Sequence, residues 1–81
     1  MEHDLIDKEL EKVQVRRRLP TPSRRRLIRE RAGISQVAIA RALNTTPASV
    51  CRWEAGTRNP GVTLLEPYLE LLERLEVVPA K

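Results

Sequence analysis

Residues 33–56 read GISQVAIARALNTTPASVCRWEAG, and the spacing in this stretch decides the fold. Ile39 and Leu43, with small Ala40 between them, make one helical face on a segment that Ser35 opens. Val50 and Trp53 make a second face on a segment that Pro47 opens. Two short helices with apolar faces must pack on each other. The turn between them is spelled out locally. Asn44 tolerates a left-handed backbone, the Thr46 hydroxyl caps the second helix, and Pro47 fits the first helical position, where no amide hydrogen is needed. Ala40 lacks bulk beyond its β-carbon and so lets the helices cross closely. A larger residue there is expected to force them apart.

Upstream, residues 4–18 are expected to form a helix with a narrow stripe of Ile6, Leu10 and Val13, and with Leu5 beside it. Acidic residues lie toward its start and Arg16, Arg17 and Arg18 at its end, which suits the helix dipole. It stops at Leu19, because Pro20 disfavours helical geometry in the residue before it and Pro22 follows. Thr21 with Pro22, or Ser23 alone, caps the next helix, which runs from Arg24 to Arg31 until Gly33 ends it. Downstream, Gly56 stops the helix that carries Trp53, and Thr57 to Val62 form a loop around Asn59-Pro60-Gly61. The last helix starts either at a capping box of Thr63 and Glu66 or at Pro67. Its face of Leu65, Leu69 and Leu72, flanked by Tyr68, Leu71 and Leu75, is expected to close the core over Trp53. No strand pattern or internal repeat is visible.

With 81 residues, one tryptophan, one tyrosine and no phenylalanine, the chain holds one small domain with an aliphatic core. No apolar run approaches the roughly 20 residues that cross a bilayer, and no signal-peptide pattern opens the chain. It is read as soluble and cytoplasmic, with no membrane partner. The single Cys51 makes no internal disulfide, and with only His3 beside it no structural zinc site is expected. Cys51 reads as a small packing residue or a bystander.

The net charge of +4 hides a strong segregation. Residues 1–15 hold two basic and five acidic residues, whereas residues 16–58 hold eleven arginines against Glu30 and Glu54; residues 59–81 return to two basic against four acidic. Clustered guanidinium groups between acidic ends suit a polyanion, since neutralising phosphates releases counterions.

Residues from about Leu27 to Leu72 resemble the lambda-repressor-like class of helix-turn-helix DNA-binding domains, the Xre family that includes Cro. The resemblance rests on Arg29 and Glu30 ahead of Gly33-Ile34-Ser35-Gln36, then Ile39-Ala40 and Leu43, then Val50, Arg52-Trp53-Glu54 and Gly56, and Pro60 ahead of a leucine-rich helix. Asn44 departs from a frequent glycine, which is harmless, and Thr45 from a frequent aliphatic residue, which trims the core. The resemblance implies an all-α bundle of four core helices, to which the periodicity of residues 4–18 adds an N-terminal helical arm that the family pattern does not explain. Residues 1–20 are then the arm, 21–76 the DNA-binding domain and 77–81 a tail.

In such domains the third core helix, here about residues 46–55, enters the major groove. The resemblance implies base contacts from Thr46, Pro47, Ala48, Ser49 and Arg52. Arg52 is the main polar reader, since its fork can bond guanine O6 and N7 together, and Pro47 and Ala48 offer only apolar contact, as with a thymine methyl. Gln36 stands at a phosphate-contact position beside a helix N-terminus. Thr45, Thr57, Arg58, Asn59, Arg24 and Arg25 are further expected phosphate contacts, and the triplets at 16–18 and 24–26 are candidates for an arm in an adjacent groove. Arg29 and Glu54 are assigned to a structural ion pair, and Trp53 to the core.

The expected function is sequence-specific binding of double-stranded DNA by a repressor-like transcriptional regulator of bacterial or phage type, with no cofactor. Relatives usually bind as dimers, so a homodimer is a candidate assembly. Two alternatives stand beside it: an antitoxin that uses the same domain and also binds a toxin, and an interaction module that kept the fold and binds protein. Enzymatic activity is not expected, because His3 lies near the terminus, Cys51 lies on the helix meant for DNA, and no carboxylate pair has a pocket to work in.

Overall fold

The computed structural model describes residues 2–78 and holds five helices among them. They are α1 (Glu2–Arg18), α2 (Pro22–Arg31), α3 (Gln36–Ala42), α4 (Pro47–Ala55) and α5 (Val62–Glu76), with no strand among the described residues. The expected tail at 77–81 lies outside them beyond residue 78. The chain is therefore all-α.

Several boundaries follow the sequence chemistry closely. Pro22 occupies the first turn of α2 after Thr21, although neither the Thr21 hydroxyl nor another side chain caps that end. Gly33 takes φ +74° past the end of α2, so its amide reaches the Glu30 carbonyl at 3.0 Å and that of Ile34 reaches Arg29 at 3.2 Å. Ser35 Oγ accepts the Ala38 amide at 3.0 Å, and Thr46 Oγ1 accepts the Ser49 amide at 3.2 Å. Between α3 and α4, Asn44 is left-handed at φ 55°. These caps satisfy amides that the first helical turn leaves without partners.

Gly56 ends α4 at φ +77°, and a β-carbon built there would lie 3.1 Å from Pro22 Cγ. Backbone strain and crowding then act together. Gly56→Ala is expected to lower stability by roughly 1–2 kcal/mol, read as a reduced urea midpoint with an unchanged m-value. An unchanged midpoint would mean that α4 can end without a left-handed residue.

The start of α5 differs from both expectations. The helix begins at Val62 after Gly61, whose carbonyl accepts the amides of Leu64 at 3.0 Å and Leu65 at 2.9 Å, so Thr63 is no cap and Pro67 lies inside the helix. Leu64 and Leu65 explain the early start. Leu65 is buried and Leu64 packs on the core, so burial holds the first turn in register. Pro67 is exposed one turn later, where its missing amide hydrogen leaves only the carbonyl of exposed Thr63 to solvent.

The core joins Ile28 of α2, Ile39 and Ala40 of α3, Val50 and Trp53 of α4, and Tyr68 and Leu72 of α5. Ala40 and Val50 are sealed at the α3–α4 crossing, with 1% and 0% exposure. The Trp53 and Tyr68 rings lie 4.8 Å apart at 47°, which closes α5 over Trp53 as its leucine-rich face implied. Thr45, in the turn between α3 and α4, is half-buried.

The N-terminal arm docks at one end only. Leu19 packs against the core, α1 contacts α5, and Arg18 Nη2 lies 2.7 Å from Glu73 Oε1. Further out, Ile6, Leu10 and Val13 stay 56%, 52% and 39% exposed. The side chain of Leu5 lies outside the described residues.

Candidate nucleic-acid interface

The outer face of α4 is built from its cap outward. Thr46 and Ser49 share a hydroxyl–hydroxyl hydrogen bond of 3.0 Å while Thr46 also holds the Ser49 amide, so both side chains are fixed at the N-terminal end of α4. Pro47 and Ala48 are exposed beside them, and Arg52 is exposed one turn on. No ion pair among the described residues engages Arg52. At the other end of α4 the amides of Thr57 and Arg58 and the Thr57 hydroxyl converge on the Arg52 carbonyl at 3.1, 3.4 and 3.4 Å. That carbonyl cluster orders the loop that carries exposed Thr57, Arg58 and Asn59.

Behind this face α4 is anchored by charge. Arg29 Nε and Nη2 donate to Glu54 Oε2 and Oε1 at 2.6 and 3.0 Å, and the two side chains are only 12% and 3% exposed. The fork geometry is bidentate, and Arg29 Nη1 also donates to the Ile34 carbonyl at 2.8 Å. The Glu54 hydrogen bond holds the Arg29 guanidinium above its usual range, against the opposing pull of burial. Buried Tyr68 feels the same cluster. Its hydroxyl has no partner among the described residues, and its pKa is pushed up to about 12 by burial and by Glu54, with Arg25 and Arg29 opposing.

Two expected phosphate contacts are engaged inside the protein. Gln36 is half-buried, and its Nε2 donates to Glu54 Oε1 at 3.0 Å, so only the second hydrogen of that amide is left to donate to a phosphate. Arg25 departs further from expectation. It is 6% exposed, donating from Nε to the Pro20 carbonyl at 2.7 Å and from Nη1 to the Trp53 carbonyl at 3.0 Å and Asn59 Oδ1 at 3.4 Å. The correction has a helical cause. Arg25, Ile28, Arg29 and Ala32 recur at one face of α2, so Arg25 points inward while Arg24 and Arg26 point out. Burial lowers the Arg25 pKa, with Tyr68 opposing, and the bonds to the Pro20 and Trp53 carbonyls give the buried guanidinium its partners. The Trp53 carbonyl sits in the last turn of α4, where helical partners run out, so Arg25 supplies the missing donor.

Arg24 is exposed and pairs with Glu76 at 3.3 Å, and Arg26 pairs with Glu30 at 3.4 Å within α2. Such exposed pairs contribute about 0–1 kcal/mol and yield readily to phosphate. Cys51 is exposed, so it is no packing residue; with Arg26, Arg29, Gln36, Glu54 and Ala55 it lines an open hollow of about 390 Å³. Among the described residues no His, Cys, Asp or Glu cluster could hold a metal ion, and no helix is long and apolar enough to cross a membrane. Thus Thr46 caps α4, Ser49 and Arg52 lie on it, Thr57 to Asn59 follow it, Gln36 joins Glu54 behind it, and Arg25 belongs to the interior.

A family model described as helix-turn-helix matches residues 26–76, the stretch from the second turn of α2 through α5. No curated protein and no solved structure matches the chain. With α3, the Asn44 turn and α4 arranged as above, the chain belongs to the Cro/C1-type, Xre-like helix-turn-helix family of DNA-binding regulators.

Proposed function

We propose that the protein reads a specific sequence of double-stranded DNA by laying α4 in the major groove, and represses transcription by occupying an operator. The observation that carries this reading is the outer face of α4, where an exposed, unpaired Arg52 stands one turn from capped Thr46 and Ser49, on a helix clamped from behind by Glu54. A rigid helix that presents one forked donor is suited to a guanine edge. Pro47 and Ala48 add apolar contact, and the Thr46–Ser49 hydroxyl pair can still donate or accept one bond. Gln36, Thr45, Arg24, Thr57, Arg58 and Asn59 are proposed as the phosphate contacts that set register. Of these, Arg58 is a full charge on the loop that leaves α4.

Fluorescence anisotropy on genomic duplex fragments, with a salt titration, tests the reading. Wild type is expected to select a discrete site with a steep loss of affinity as salt rises. Arg52→Ala is expected to lose about 1–3 kcal/mol of discrimination at one base pair, with only a small change in affinity for unrelated duplexes. Equal weak binding of wild type to every duplex would overturn sequence-specific reading.

A further inference from the structure

The exposed apolar stripe on α1 is a feature that the DNA-binding reading leaves unused. Ile6, Leu10, Val13 and Arg17 follow one another at spacings of 4, 3 and 4 residues, the seam of a two-stranded coiled coil. All four are exposed, and a hollow of about 270 Å³ lined by Ile6, Glu9, Leu10 and Val13 runs along the seam. The charge on α1 is divided lengthwise. Residues 2–11 hold five acidic residues against Lys8, and residues 12–18 hold Lys12 and three arginines with no acidic residue.

We propose that α1 is a dimerisation helix that pairs antiparallel with α1 of a second copy of this chain. The charge order selects both partner and direction. Antiparallel copies set the acidic half of each helix against the basic half of the other and align their dipoles favourably, whereas parallel copies set acid on acid and base on base. An acidic or a basic peptide complements only one half of the helix. In the antiparallel register Leu10 of one copy packs on Val13 of the other, twice, and the Arg17 stem covers Ile6 at each end while its guanidinium stays in water. The docked end of α1 carries the rest of each subunit away from this seam, since Leu19 and the Arg18–Glu73 pair bind α1 to its own domain there. Two α4 helices are thereby joined around one twofold axis. With about 25 Å of helix the contact is small, so the dimer belongs to the weak, reversible class.

Sedimentation velocity on the full chain without DNA tests the pairing apart from any DNA reading. Wild type is expected to show a monomer–dimer equilibrium that weakens as salt rises. Leu10→Asp is expected to raise the dissociation constant at least about tenfold while the thermal unfolding followed through Trp53 stays unchanged. Asp7→Lys/Glu9→Lys and Arg16→Glu/Arg17→Glu are each expected to be monomeric alone and dimeric when mixed. In a Cys51→Ser background, an Ile6→Cys chain should form a disulfide with an Arg17→Cys chain and none with itself. A wild type that stays monomeric, a dimer indifferent to Leu10→Asp, a dimer strengthened by salt, or a self-disulfide through residue 6 would each overturn the proposal.

Discussion

Glu54→Ala is expected to lower the unfolding free energy by about 3–5 kcal/mol, because it leaves the Arg29 guanidinium largely buried with no counter-charge. Gln36 loses its acceptor in the same step. A domain of this size has roughly 4–12 kcal/mol of stability in all, so the variant should be partly unfolded at 37 °C. Urea denaturation followed by far-ultraviolet circular dichroism measures the change. Glu54→Gln keeps the shape and one acceptor oxygen and should fall between the two. Replacing Arg29 and Glu54 together with Met and Leu should recover much of the loss, since no charge is then stranded. A loss below about 1 kcal/mol for Glu54→Ala would show that the pair sits in a wetter place than its 12% and 3% exposures imply.

Arg25→Ala is the second large effect, and its signature separates a structural arginine from a DNA-binding one. Removing it strips a charged donor from the Trp53 and Pro20 carbonyls and empties a buried stem, so stability should fall by about 2–3 kcal/mol. Arg25→Lys should recover little, because one ammonium cannot span both carbonyls in the guanidinium plane. The slope of log affinity against log salt should stay at the wild-type value once measured below the melting temperature. A guanidinium that touches no phosphate releases no counterion. A slope reduced by about one would instead put Arg25 on the DNA.

The fold was legible because its punctuation is local. Ser35, Asn44, Thr46, Pro47 and Gly56 each impose a backbone geometry or satisfy an amide within four residues, and each does so in the structure at the position expected. Arg25 was not legible from charge. Counting arginines ignores which face each one occupies, and only the recurrence of Arg25, Ile28, Arg29 and Ala32 at helical spacing marks the inward pair. Pro67 misled for a related reason. A proline signals a helix start in sequence, but burial of Leu65 outweighed the missing hydrogen bond at an exposed position. Gln36 lies at a helix start that suits an anion, and the sequence carries no sign that Glu54, eighteen residues later, would take its amide.

The division of α4 into an anchored back and an open front bears on how such a protein changes its target. Val50, Trp53 and Glu54 hold the helix from behind, while Ala48 and Arg52 make none of the buried contacts. Substitutions at exposed positions of this kind usually shift stability by less than about 0.5 kcal/mol, so lineages can exchange these two residues without first acquiring compensating changes. Thr46 is the exception, because its hydroxyl both caps the helix and faces outward. If α4 reads DNA as proposed, sequence preference in this lineage should therefore drift fastest at positions 48 and 52 and stay pinned at 46, and a library randomised at those two sites should yield many folded domains with different DNA preferences.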